Sequence, residues 1–301
     1  MLIELPHLIG VTLAITAAVC FAAQFLCIRV GTVDGSIVEA VFISLLTNVL
    51  IVCPLVFLLH GVPSITPTAI LWFGLAGISG SLIARTCMFK SVQIIGASRT
   101  SPVVSANVFF ASLLAIVLFG DTLTALHAIG IAIIVVGVGV ISWETAQDAN
   151  PDQSIRDVGI SLLLPLFAAL FIGFEPIFVS LGLAEGTGVL PGVAIKVLAA
   201  WIGFAAYVFG VSRRGSDIFT NSRSTGWYLA AGITSALGII AYFAALDGAP
   251  VVVVVPLITT SPLMVVLLSY VFLPQRLERI TWRLVAAATV VVIGASIVGI
   301  Q

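Results

Sequence analysis

Ten apolar stretches follow one another along the chain, at residues 8–29, 36–59, 67–90, 96–119, 124–143, 158–182, 188–211, 226–247, 250–273 and 281–300. About 20 apolar residues in a helix cross the hydrocarbon core of a bilayer, at a rise of about 1.5 Å per residue. In lipid every backbone N–H and C=O must be paired within the protein, which leaves helices and closed barrels as spanning structures. A barrel would show short segments alternating apolar and polar residues, whereas these runs are continuous. The expected fold is therefore an all-α integral membrane protein of ten transmembrane helices. With 60% hydrophobic and 8% charged residues, a soluble globular domain is excluded. No basic cluster with interleaved aromatics points to nucleic acid. The opening MLIELPHLIG has no positive charge ahead of its apolar run, and Val19 precedes Cys20 where a lipoprotein cleavage site needs a small residue. The first stretch is thus read as an uncleaved helix.

One polar segment, Glu144 to Asp157, interrupts the pattern near its middle. It divides a first five-helix unit, residues 1–143, from a second, 158–301, with 144–157 as the linker. The two units read alike. Cys20–Gly31 aligns without gaps on Phe171–Gly182, Pro102 and Leu123 fall against Pro256 and Leu277, and GISGS at Gly77 falls against GITSA at Gly232. Five is odd, so the second unit enters the membrane from the opposite side and the repeat is inverted. Arg213, Arg214 and Arg223 lie between spans 7 and 8, and Arg276, Arg279 and Arg283 lie around the turn between spans 9 and 10. The segments 60–66, 120–124, 183–187 and 248–249 carry no Lys or Arg. Basic loops stay cytoplasmic, which places both termini on the outer face.

Ionisable residues within spans cost about 2.5–3.5 kcal/mol each at a helix centre on insertion scales, so they are functional candidates. They are Glu39, Arg85, Lys90, Arg99, Glu175, Lys196 and Asp247, with Arg29 near a span end. Glu175 and Lys196 flank the tight connection of spans 6 and 7 at nearly equal depth. An ion pair facing a central cavity is expected there, either structural or engaged with substrate and a coupling proton. Glu175 also stands at the repeat position of Gln24, and Pro176 beside it removes a backbone donor. Lys90 and Arg29 read as snorkelling to the headgroups; Arg85 and Arg99, deeper, are candidates for recruiting an anionic group. Gln24, Asn48, Asn107, Tyr207, Tyr242 and Tyr270 are candidates for a polar path. Trp72, Trp143, Trp227 and Trp282 lie near span ends and read as interface anchors. Pro102 and Pro256 are repeat-related hinge candidates. The four cysteines all lie in apolar spans without a CxxC and read as inert thiols.

These residues carry a resemblance to the drug/metabolite transporter superfamily, specifically its ten-helix EamA type. FAAQFLCIRVG is similar to that family's first-helix pattern, with Ala22 in place of its Gly, Gln24 in place of its Asn, and Arg29 as the basic residue. Lys196 matches the Arg of its second-helix pattern, where the first half carries Ser44. The fourth-helix Pro followed by Gly-Glu occurs as Pro102 with Gly120-Asp121 and as Pro256 with Pro274-Gln275. The resemblance implies transport of a small metabolite without naming it.

No GxxxxGK[ST] occurs to bind ATP, and His7, His60 and His127 form no HExxH. An enzyme, a metal and a cofactor are accordingly not expected. The leading expectation is a secondary transporter of a small polar metabolite, an amino acid or related amphipathic compound, working by alternating access. A sugar-phosphate or organic-anion exchanger is the alternative within transport, and a non-transporting scaffold the alternative outside it. Coupling to protons stays open. The partners expected are the small-molecule substrate and the lipid bilayer, with a monomer in a plasma or inner membrane. The substrate and coupling candidates are Gln24, Arg85, Arg99, Asn107, Glu175, Lys196 and Tyr242.

Overall fold

The computed structural model describes residues 5–61, 65–119, 124–147, 155–211, 222–249 and 251–299, and these form helices with no strand among them. The helices are α1 Leu5–Gly31, α2 Ile37–His60, α3 Pro67–Ile95, α4 Ala97–Phe119 and α5 Ala125–Gln147 in the first half. In the second they are α6 Ile155–Ala184, α7 Val189–Gly210, α8 Ser222–Gly248, α9 Val251–Phe272 and α10 Trp282–Gly299. Among the described residues nine helices are long and apolar enough to cross a membrane, and the apolar stretch Trp282–Val298 of α10 is shorter. Large apolar side chains such as Leu58, Val117, Val136 and Phe272 lie on the outside of the bundle, where a soluble protein would carry charge.

Local chemistry sets the helix ends. Ser36 accepts a hydrogen bond from Glu39 N at the start of α2, and Thr66 accepts one from Ala69 N ahead of Pro67 in α3. Gly96 turns the chain between α3 and α4 at φ +93°, a conformation that L side chains rarely adopt. Glu144 to Gln147 continue α5, and Glu144 is buried, accepting a hydrogen bond from the Thr281 hydroxyl. Residues 148–154 lie outside the described residues.

Breaks in α4 and α9 correspond under the repeat. Helix α4 divides into Ala97–Val104 and Asn107–Phe119, and α9 into Val251–Thr259 and Ser261–Phe272. Each break falls within four residues after its proline, Pro102 or Pro256, and both are bridged by tighter bonds, Ala106 N to Val103 O and Thr260 N to Leu257 O. A proline cannot donate the helical hydrogen bond at its own position, which weakens the ladder there. In α3 the middle turns, Gly77–Ala84, widen into π-helix.

Helix α1 runs along α8, α10 along α5, and α2 against α7 and α8, while α3 lies against α6 and α7. Lipid tails are as apolar as the helices, so close backbone approach has to supply the attraction between them. At α5–α10 a methyl group at Gly294 would lie 2.8 Å from Gly130 O, and one at Gly130 would lie 3.0 Å from Gly294 O. The pairings leave α1, α3, α4, α6, α7, α8 and α9 surrounding a central space.

Candidate functional site

That space is a cavity of about 390 Å³ lined by polar side chains on one set of turns and apolar ones around them. Phe21, Met88, Ile172, Val193, Ile239, Phe243 and Ile258 form its apolar wall. Gln24, Ser81, Arg85, Asn107, Glu175, Lys196, Ser235 and Tyr242 supply the polar groups. Gln24, Arg85, Asn107, Glu175, Lys196 and Tyr242, from six different helices, thus meet in one cavity. Arg99 does not join them; it lies half-buried at the end of the bundle that holds the 3–4 and 9–10 connections, with a guanidinium nitrogen donating to Arg279 O at 3.5 Å. Tyr207 and Tyr270 are 52% and 74% exposed and face outward, so they line no path inside the bundle.

Two clusters make up the polar lining. In the first, Lys196 of α7 donates to Glu175 of α6, with both side chains partly accessible from the cavity. Helix α3 leaves room for this pair. A methyl group at Gly80 would overlap Glu175 Oε2 and lie 2.8 Å from Glu175 Cδ, and one at Gly77 would overlap the Lys196 carbonyl. Both glycines sit in the π-helical turns of α3. Pro176 follows Glu175, so the Ile172 carbonyl lacks its helical donor beside the cavity.

The second cluster holds Arg85, which is 9% exposed. The Asn48 amide is best satisfied with its nitrogen donating to Gly232 O at 2.8 Å, and its oxygen then accepts from both Arg85 terminal nitrogens at 3.0 and 3.2 Å. Ser235 Oγ accepts from Arg85 at 3.4 Å. The partners of this guanidinium are neutral. With the Glu175–Lys196 pair balanced, the lining carries one net positive charge. Sequence reading did not single out Ser235, although it aligns with Gly80 when GISGS is laid on GITSA.

Gln24 and Glu175 occupy equivalent positions in the two halves and both line the cavity, but their settings differ. Glu175 has a cationic partner, whereas Gln24 is 5% exposed and its amide nitrogen has no hydrogen-bond partner among the described residues. An unmet buried donor costs about 1–3 kcal/mol, and a solute with an acceptor would relieve it.

Arg29 corrects the snorkelling expectation. Its guanidinium turns into the protein and donates to Val92 O at 3.2 Å, Gln93 O at 2.8 Å and Leu277 O. It also pairs with Glu278 at 3.6 Å. Glu278 in turn accepts from Ala97 N and from Ser98 N, so one buried carboxylate caps α4 and binds α1 at once. This cluster ties the first half to the second at one end of the bundle. Lys90, by contrast, is exposed and donates to Gln93 at 2.8 Å. Glu39, at the same end, is fully buried and accepts from the Thr225 hydroxyl. The side chain of Asp247 lies outside the described ones. Of the tryptophans, Trp282 and Trp143 are 81% and 54% exposed, the latter beneath the Arg283 guanidinium at 5.6 Å.

No match was found among curated protein sequences. A solved crystal structure superposes with a TM-score of 0.63 over 98% of this chain and 97% of its own, at 14% identity, a likeness that speaks to fold alone. The sequence matches the EamA-like transporter family twice, over residues 8–143 and 159–300. With nearly the whole chain matched in two repeats, this multi-pass membrane protein belongs to the EamA-like transporter family, of the drug/metabolite transporter type.

Proposed function

We infer that the chain is a secondary transporter that carries a small amphipathic metabolite, an amino acid or a related compound, across a plasma or inner membrane. The observation behind this reading is that one cavity holds both signs of charge, Glu175 with Lys196 and Arg85, against an apolar wall. A zwitterion with an apolar side chain finds complements there, its carboxylate on Arg85 or Lys196 and its ammonium on Glu175. The inverted halves supply the alternation, one end of the bundle opening as the other closes.

A second reading has its own support. Glu175 is already paired, and Arg85 has neutral partners, so the cavity's net positive charge favours an organic anion or a sugar phosphate.

Counterflow uptake into proteoliposomes separates the two, using labelled pools of amino acids, nucleosides and phosphorylated sugars with and without a pH gradient. Saturable amino-acid uptake lost in both Glu175→Gln and Lys196→Ala is the expected result. Saturable exchange of phosphorylated sugars that survives Glu175→Gln selects the anion reading. Uptake of neither by a folded protein removes both.

A further inference from the structure

A second cavity, of about 500 Å³, lies away from the central one and shares no lining residue with it. It is bounded by the end of α1 and the residues after it (Val30, Val33, Asp34), the first turns of α8 (Arg223, Ser224, Trp227), and Arg276 with Leu277 before α10. The transport reading uses none of these side chains.

Its chemistry is that of an anion site with an apolar border. Among the described lining residues, two guanidiniums from separate elements stand beside one carboxylate, that of Asp34. Helix α8, 27 residues long, begins here at Ser222. The first turn of a helix presents N–H groups that have no acceptor within it, and its dipole favours negative charge. Within that turn Ser224 is only 4% exposed, lines the cavity, and has no partner for its hydroxyl among the described residues. A hydroxyl on the cavity wall can donate to an acceptor placed there.

The surroundings suit a ligand that is charged at one end and greasy at the other. Val33 and Trp227 are 51% and 40% exposed beside the arginines, and tryptophan at a span end marks headgroup depth. Basic pockets between membrane helices are where anionic lipid headgroups dock. Next to the lining, Tyr228 donates to Gly31 O at 2.9 Å, and Leu277 O accepts from Arg29.

We propose that this cleft binds a phosphate group, held by Arg223, Arg276, the Ser224 hydroxyl and the N-terminal turn of α8. A phospholipid headgroup presents such a group with its chains toward Val33 and Trp227; free phosphate presents it without them. Through Leu277, the bound phosphate sits one residue from the Arg29–Glu278 cluster that joins the two halves.

The test uses the full chain in nanodiscs of phosphatidylcholine, with and without phosphatidylglycerol, and reads the thermal unfolding midpoint and lipid retention by native mass spectrometry. Wild type is expected to unfold at a higher temperature with phosphatidylglycerol and to retain it in preference to phosphatidylcholine. Arg276→Gln, at an exposed position that leaves the fold undisturbed, is expected to weaken that retention about tenfold, the loss of one charge-assisted contact. Ser224→Ala is expected to weaken it less, and Lys90→Gln, an exposed cation elsewhere, to leave it unchanged. Inorganic phosphate that raises the midpoint in phosphatidylcholine discs and displaces phosphatidylglycerol supports the phosphate site and names solution as its source. Equal retention by wild type and Arg276→Gln, or equal loss in Lys90→Gln, overturns the proposal.

Discussion

Replacing Gly80 by alanine isolates the role of the Glu175 carboxylate without removing it. The new methyl group would overlap Oε2 and lie 2.8 Å from Cδ and 3.2 Å from Cβ of Glu175. Ordinary contact begins near 3.4 Å, so the carboxyl carbon must retreat by roughly 0.6 Å and the oxygen further, which disturbs the geometry of the pair with Lys196. A glutamate side chain can swing aside, so the backbone stays in place. The exchange of glycine for alanine itself favours helix by roughly 0.5–1 kcal/mol, and thermal stability is expected to stay within about 1 kcal/mol of wild type. The damage falls on function. Losing a hydrogen bond between charged groups costs about 1.5–3 kcal/mol, which converts to a rise in KM of about tenfold to a hundredfold for a solute that uses this pair.

Gly77→Ala is the matched control. Its methyl group would overlap the Lys196 carbonyl oxygen and lie 3.0 Å from the carbonyl carbon and 3.2 Å from Cα. Backbone cannot swing aside, so α3 and α7 must separate, at about 1–3 kcal/mol for overpacking. Counterflow transport and thermal unfolding, run on both variants, give the comparison. Gly80→Ala should be folded and slow, and Gly77→Ala unstable. A Gly80→Ala protein with the wild-type KM, or equal destabilisation of both, would refute the argument.

Other perturbations probe the rest of the framework. Arg29→Ala strips Glu278 of its counter-ion at 3% side-chain exposure; loss of about 3–5 kcal/mol is expected, against less than about 0.5 kcal/mol for Lys90→Ala at the same end, read by thermal unfolding. Asn48→Asp places a charge where Arg85 now has an amide acceptor; the protein should fold while affinity for a carboxylate-bearing solute falls about tenfold, measured as KM in counterflow. Gly294→Leu drives a side chain against the Gly130 carbonyl and should cost about 1–3 kcal/mol without altering KM in the protein that remains folded.

Much of the architecture can be read from the residues alone. Continuous apolar runs allow few alternatives in lipid, because an unpaired backbone group there is too costly, so helices and their order follow from composition and length. The odd number of spans per half makes the repeat inverted. Equal depth across a tight hairpin was enough to bring Glu175 and Lys196 together. Depth along a helix is local arithmetic; rotation about its axis is not, because apolar residues face both lipid and protein in a membrane span and periodicity loses its contrast. That is why Tyr207 and Tyr270 were candidates beside Tyr242, yet they face outward while Tyr242 lines the cavity.

Only the tertiary structure decided the partners that join distant segments. Arg29 near a span end looks like any snorkelling arginine, and Glu278 lies among surface arginines at the 9–10 turn. Their pairing depends on α1, the start of α4 and the segment before α10 meeting at one point. The same holds for Gly80 beneath Glu175 and for the cleft between Ser224 and Arg276, where α8 and the 9–10 segment converge. The sequence by itself determined which segments cross the membrane, their order and the depth of each charge, because the bilayer acts on every helix separately. Which charges meet, and which polar atoms remain unmet, depends on how helices rotate and pack against one another, and that is a property of the assembled bundle.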